Sequence, residues 1–177
     1  MYYRISGPGL PDWRKECIFG VMTDSTPAGR ALDALGIPYR MFRHSLPPES
    51  LERAARERGQ TAEQVVRSIL FRSGEKEFIL VLIAGASQIS WQRLRAHLGI
   101  SRLRLASESE VREVTGCLIG AVSPLGLPNP LRLLADESVF RQEEISMGSG
   151  ERGAAVILKS ADLRKALGRV ETGPFAV

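Results

Sequence analysis

The sequence predicts a mixed α/β protein of the α+β kind, a curved, barrel-like mixed sheet surrounded by helices. Three observations predict it. Strand-length apolar runs and capped helical stripes are interspersed without the regular β-α-β spacing of a doubly wound parallel sheet. The runs Val65–Arg72 and 77–84, joined by Ser73, Gly74, Glu75 and Lys76, read as a hairpin whose second strand carries the longest apolar run, of the length of a buried strand. The chain has 177 residues, 44% of them hydrophobic and 25% charged, which suits one domain with a sizeable core.

The elements follow in order. Residues 1–21 show no sustained periodicity and are expected to be a poorly ordered extension, leaving 22–177 as the folded unit. No apolar signal region stands there and no run is long enough to cross a bilayer, so the cytoplasm is the expected compartment. Cys17 and Cys117 make no disulfide framework and no zinc spacing. Thr26 and Pro27 open a helix with Ala28, Ala31, Leu32 and Leu35 on one face, stopped by Gly36. Residues 39–44 read as a short strand. Leu51, Ala54 and Ala55 mark a helix ending at Gly59, and 61–65 a further helical turn. After the hairpin, 87–98 is expected to be a helix stopped by Gly99, and 103–105 a short strand. Ser107 and Glu110 form a capping box for a helix with Val111 and Val114 inward and Gly116 as its stop. Residues 131–135 then read as a strand and 136–138 as a turn or short helix. Strands at 144–147 and 154–159 flank 148–153, whose Gly-x-Gly-x-x-Gly string lies between strands and so reads as a hairpin turn, not a dinucleotide loop. Ser160 is expected to cap a last helix bearing Leu163, Ala166 and Leu167, with Gly168 after it.

The stretch most charged with functional meaning is 116–130. It carries Gly116, Gly120 and Gly126 with Pro124, Pro128 and Pro130, around Ala121, Val122 and Ser123. Such punctuation forbids a helix interior, and the centre is too apolar for an ordinary solvent loop. It is either a plain connection or a rigid loop whose amides hold a ligand. Alternation places Arg67 on the strand face of Val65, Ile69 and Phe71, where a guanidinium is either a structural ion pair or the charged floor of a site. His44, just before Pro47 and Pro48, can line a cleft or serve structure alone. Asp136 is the acid of the set. The run 91–105 places Arg93, Arg95, Arg102 and Arg104 together without an intervening acid, either a solvated surface or a phosphate contact, on a chain of net charge +4. Walker, HExxH and GxSxG patterns are missing, and Ser123 has no histidine–acid pair that sequence can place beside it. Loop amides, a cation at Arg67 and an acid at Asp136 would suit an ester carbonyl or a carboxyl-like group and need no metal.

Val65–Arg72, the Gly-x-x-x-Pro loop from Gly120 to Pro124, the pair Ala135 and Asp136, and the block from Gly148 to Leu163 occur in an order that resembles the YbaK/aminoacyl-tRNA synthetase-associated domain family, the trans-editing prolyl-tRNA deacylases and the prolyl-tRNA synthetase insertion domain. The resemblance spans about residues 24 to 170. It implies hydrolysis of the ester of mischarged tRNA, of which tRNA(Pro) is one candidate, with no metal or other cofactor. It gives Arg67, Gly120 and Ala121 catalytic positions. His44, Val122, Ser123, Pro124, Asp136 and Gly148 fall at substrate-binding positions, and the 93–104 arginines at the acceptor stem. One departure stands out: Arg67 occupies a position where the family pattern has lysine. Arginine keeps the charge but is bulkier, planar and bidentate. The alternative is a non-catalytic module that recognises aminoacyl-adenosine, tRNA or a tRNA synthetase.

Overall fold

The computed structural model describes residues 26–177. The expected extension over 1–21, the domain start at 22 and Cys17 lie outside the described residues. Thr26 Oγ1 accepts from the Gly29 amide at 3.1 Å and Pro27 holds the first helical position, so α1 spans Pro27–Ala34. Then come β1 (Arg40–Arg43), α2 (Leu51–Glu57), a short 3-10 turn at Ala62–Gln64, β2 (Val65–Arg72) and β3 (Phe78–Ala84). The middle holds α3 (Trp91–Leu98), β4 (Arg104–Leu105) and α4 (Glu108–Thr115), the last with the expected capping box and Gly116 in the left-handed region as its stop. The remainder is β5 (Arg132–Asp136), a 3-10 turn at Glu137–Phe140, β6 (Glu144–Gly148), β7 (Ala154–Lys159), α5 (Ser160–Leu167) and β8 (Glu171–Gly173).

The eight strands form one mixed sheet in the order β1-β7-β6-β2-β3-β5-β8, with β4 beside β2. Pairs β1–β7, β6–β7, β2–β3 and β2–β4 are antiparallel; β2–β6, β3–β5 and β5–β8 are parallel. The mixed α/β class is as expected, but the sheet is open and not a closed barrel. Its outermost strands, four and three residues long, are too short to be tilted round and paired with each other. β3 is buried on both faces. Leu80, Leu82 and Ala84 enter one apolar cluster with α1, α5 and Val122, while Ile79 and Val81 enter a second with Leu94 and Phe175. Complete burial of such a side chain contributes about 1.5–3 kcal/mol, so β3 anchors both layers.

Two expectations are corrected. The helix placed over 87–98 begins only at Trp91, because residues 88–90 pair with the C-terminal segment: Gln88 and Val177 exchange amide hydrogen bonds, and the Ser90 amide donates to the Phe175 carbonyl at 2.7 Å. Ser160 does not cap α5 but lies in its first turn. Lys159 holds the cap position, and the Ser160 amide donates to the Glu143 carbonyl at 2.9 Å, since β7 runs into α5 with no loop between them.

Candidate active site

Residues that are far apart in sequence meet where the sheet is incomplete. β3 borders β2 from Val66 to Arg72, but on its other edge β2 has β6 only at Val65 and Val66 and β4 only at Phe71 and Arg72. Between them 67–69 have no strand alongside, and a cleft of about 410 Å³ opens there. Arg67, Ser68 and Ile69 form one wall, α2 and His44 a second, and Gly120, Val122 and Gly148 a third. A second cleft of about 370 Å³, beside β1 and α5, does not reach the loop; its pairs Arg40–Glu144 and Asp162–Lys165 satisfy one another.

The glycine–proline loop divides into an exposed lip at 118–120 and a buried base at 121–125. Gly120 has φ +87° and faces open space. The Ala121 amide is spent on the Leu118 carbonyl at 3.0 Å, so it is not the free donor that a catalytic position would require. The amides of Gly120, Val122 and Ser123 have no acceptor among the described residues, and of these Gly120 and Val122 line the cleft. The base is fixed from behind: the Ala121 carbonyl accepts from the Gly150 amide at 2.9 Å, and Ser123 Oγ from the Leu125 amide at 3.1 Å. Ser123 and Pro124 are therefore buried supports and not lining residues.

Arg67 is in the cleft wall with Gly120 and has no acidic partner among the described residues. A terminal nitrogen donates to the Ser87 carbonyl, while its Nε is buried with no acceptor among the described residues. Burial lowers the guanidinium's pKa from its ordinary value. His44, also in the wall, keeps only 1% of its side chain accessible. Its Nε2 receives Arg58 Nε at 3.2 Å and a terminal Arg58 nitrogen at 3.0 Å. Arginine can only donate, so Nε2 must be the acceptor, which assigns the imidazole proton to Nδ1, 2.5 Å from Glu57 Oε2. This contact, then that of Arg53, holds the Glu57 carboxyl below the usual carboxylate range. Arg58 also donates to Ser146 Oγ at 3.0 Å, and burial pushes its pKa down to about 10, only partly opposed by the charge of Glu57.

Arg58 is the cleft residue that sequence reading missed. It follows α2 directly before Gly59, in a helix rich in exposed arginines, and periodicity does not mark it. Asp136 was expected at the substrate but does not line the cleft. It is 3% exposed, with Oδ1 accepting from the Ser138 amide at 2.9 Å and Oδ2 from the Ala176 amide at 2.7 Å. The four surface arginines also divide. Arg93 donates to the Ala176 and Pro174 carbonyls at 2.9 and 3.4 Å, and Arg104 pairs with Glu110. Arg102 is exposed, and Arg95 is half-buried on α3.

Comparison with known proteins gives this geometry a family. Residues 47–166, which include β2, the loop and β6, match the aminoacyl-tRNA editing domain. The chain is 32% identical over 131 residues to the Multifunctional Ser/Thr-tRNA deacylase ProXp-y of Escherichia coli (strain K12), covering 72% of this chain and 78% of that one. It is 38% identical over 91 residues to a proline--tRNA ligase of Brachyspira hyodysenteriae, covering 51% of this chain but only 16% of the ligase. A crystal structure of a candidate trans-editing enzyme for prolyl tRNA synthetase superposes with a TM-score of 0.77 at 27% identity, over 85% of this chain and 95% of that one. The chain belongs to the aminoacyl-tRNA editing domain family.

Proposed function

We propose that the cleft receives the 3′-terminal aminoacyl-adenosine of a mischarged tRNA and that the chain, acting in trans in the cytoplasm, hydrolyses its ester. One observation supports the reading: within the family-matched span, an arginine with no acidic partner among the described residues shares a cleft with loop amides that have no acceptor among those residues. Such donors suit the charge that develops on a carbonyl oxygen under attack. Water adds to the ester carbonyl, and the Gly120 and Val122 amides stabilise the oxyanion. The ribose hydroxyl then leaves with a proton. Arg67 anchors the carbonyl or the terminal phosphate, and His44 and Gly148 shape the wall. Arg102 and Arg104 meet acceptor-stem phosphates. The short matching segment in proline--tRNA ligases supports an aminoacyl-tRNA synthetase as a second proposed partner, to be sought by co-purification.

The test is release of amino acid from a panel of mischarged tRNAs, tRNA(Pro) first, by wild type and Arg67→Ala. One charge-assisted hydrogen bond is worth about 1.5–3 kcal/mol, so kcat/KM should fall roughly 10- to 100-fold, with a much smaller change in tRNA affinity. If wild type binds tRNA yet leaves every ester intact, the deacylase reading fails.

A further inference from the structure

Arg58 is an unusual cation. Its hydrogen-bond partners, His44 and Ser146, are both uncharged in the arrangement described, and no carboxylate among the described residues pairs with it. The Glu57 carboxylate is occupied by His44 and by Arg53 Nε at 3.0 Å. A guanidinium has five N–H groups; one on Nε, one on each terminal nitrogen are engaged here, which leaves one on each terminal nitrogen without an acceptor among the described residues. A half-buried charge held in place but not neutralised gains most from an incoming anion. Among the described residues, the cleft it lines has a second arginine, Arg67, and only Glu49 of opposite sign, with most of that side chain in solvent.

From this arrangement we infer that Arg58 is a carboxylate-binding residue of the cleft, which holds the anionic end of the amino acid that ester hydrolysis releases and makes the site sensitive to small monocarboxylates. The inference rests on the deacylase reading for the origin of its ligand. Hydrolysis forms the bond from water oxygen to carbonyl carbon and breaks the bond from that carbon to the ribose oxygen. The ribose oxygen takes one proton of the water, the other goes to solvent, and a carboxylate remains where a neutral ester stood. Arg58 interacts weakly with the ester and strongly with the carboxylate. Product is therefore retained, and free carboxylate competes with substrate.

The test needs no tRNA. Acetate and propionate, which lack the ammonium group that two arginines would repel, are titrated into the protein and followed by amide chemical shifts, with chloride at matched ionic strength as control. Wild type should show saturable shifts at 58, 146 and 44 with either carboxylate and not with chloride. Arg58→Met should weaken acetate binding at least tenfold. Arg58→Lys, which keeps the charge and guards against a misfolded Met variant, should retain part of it. Equal acetate binding by wild type and Arg58→Met, no saturation in wild type, or equal displacement by chloride overturns the inference. Arg58-dependent acetate binding without any deacylation would instead refute the deacylase reading and leave Arg58 a carboxylate-binding residue whose ligand has another origin. Deacylation that free carboxylates do not inhibit would do the reverse.

Discussion

At Gly148 an added Cβ would stand 2.6 Å from the Ala121 carbonyl oxygen and 2.7 Å from that of Val122, both backbone atoms that cannot swing aside. Gly148→Ala should therefore displace the loop, cost about 1–3 kcal/mol in denaturant unfolding, and lower kcat/KM more than tenfold. Gly120 differs. No atom lies within 4 Å of its would-be Cβ, but its φ of +87° is one that L residues adopt at a cost of roughly 1–2 kcal/mol. Gly120→Ala should fold, lose about that much stability, and lose activity because the methyl enters the cleft. Retention of full activity in either variant would show that the loop does not position substrate. Arg67 was legible because a charge interrupts an apolar alternation. Arg58 was not, because the same residue type beside a charged helix looks like surface; only the fold, which brings the end of α2 to Ser146 and His44, places it in the cleft.

At the scale of elements, Glu110 ties α4 to β4 and β2. It accepts from Arg104 at 2.7 and 2.8 Å, from the Ser107 amide at 2.8 Å and from Arg72 at 2.6 Å. Arg104 first, then the Ser107 amide and Arg72, hold its carboxyl far below the ordinary value of 4.5. A depressed folded pKa means stability that is fully present above the unfolded value and lost as pH falls through the folded one. Glu110→Gln should thus melt below wild type at pH 7, and the gap should shrink as pH is lowered from about 4.5. Thermal unfolding across that range checks it; a gap that widens in acid would contradict the assignment. The capping box that begins α4 was readable from Ser107 and Glu110 alone, because its bonds span three residues. The late start of α3 was not, because Ile89 and its neighbours answer to Ala176, far along the chain.

Across the whole molecule, the basic residues do different work despite a similar appearance in sequence. Arg102 is exposed beside the hairpin turn, so Arg102→Ala should weaken binding to every tRNA by a similar factor and reduce the salt slope by about one. Arg93 fastens the C-terminal segment, so Arg93→Ala should mainly lower the melting temperature. Binding titrations at several salt concentrations, paired with melting curves, separate the two; equal salt slopes for wild type and Arg102→Ala would remove Arg102 from the nucleic-acid surface.

What the sequence determined by itself was local. The caps of α1 and α4, the β2–β3 hairpin, the 148–153 turn and the conformation-bound loop all depend on residues within a few positions of one another, where φ restrictions and side-chain periodicity act directly. The mixed sheet class followed from the same pieces. Only the tertiary structure decided that the sheet stays open, that β8 joins it, and that β4 and β6 leave a gap beside β2. The same packing sends Asp136 to the C-terminal segment and brings Arg58 to His44 and Ser146. Those outcomes depend on which buried surfaces and unpaired donors meet across long sequence separations, and no local pattern encodes that choice.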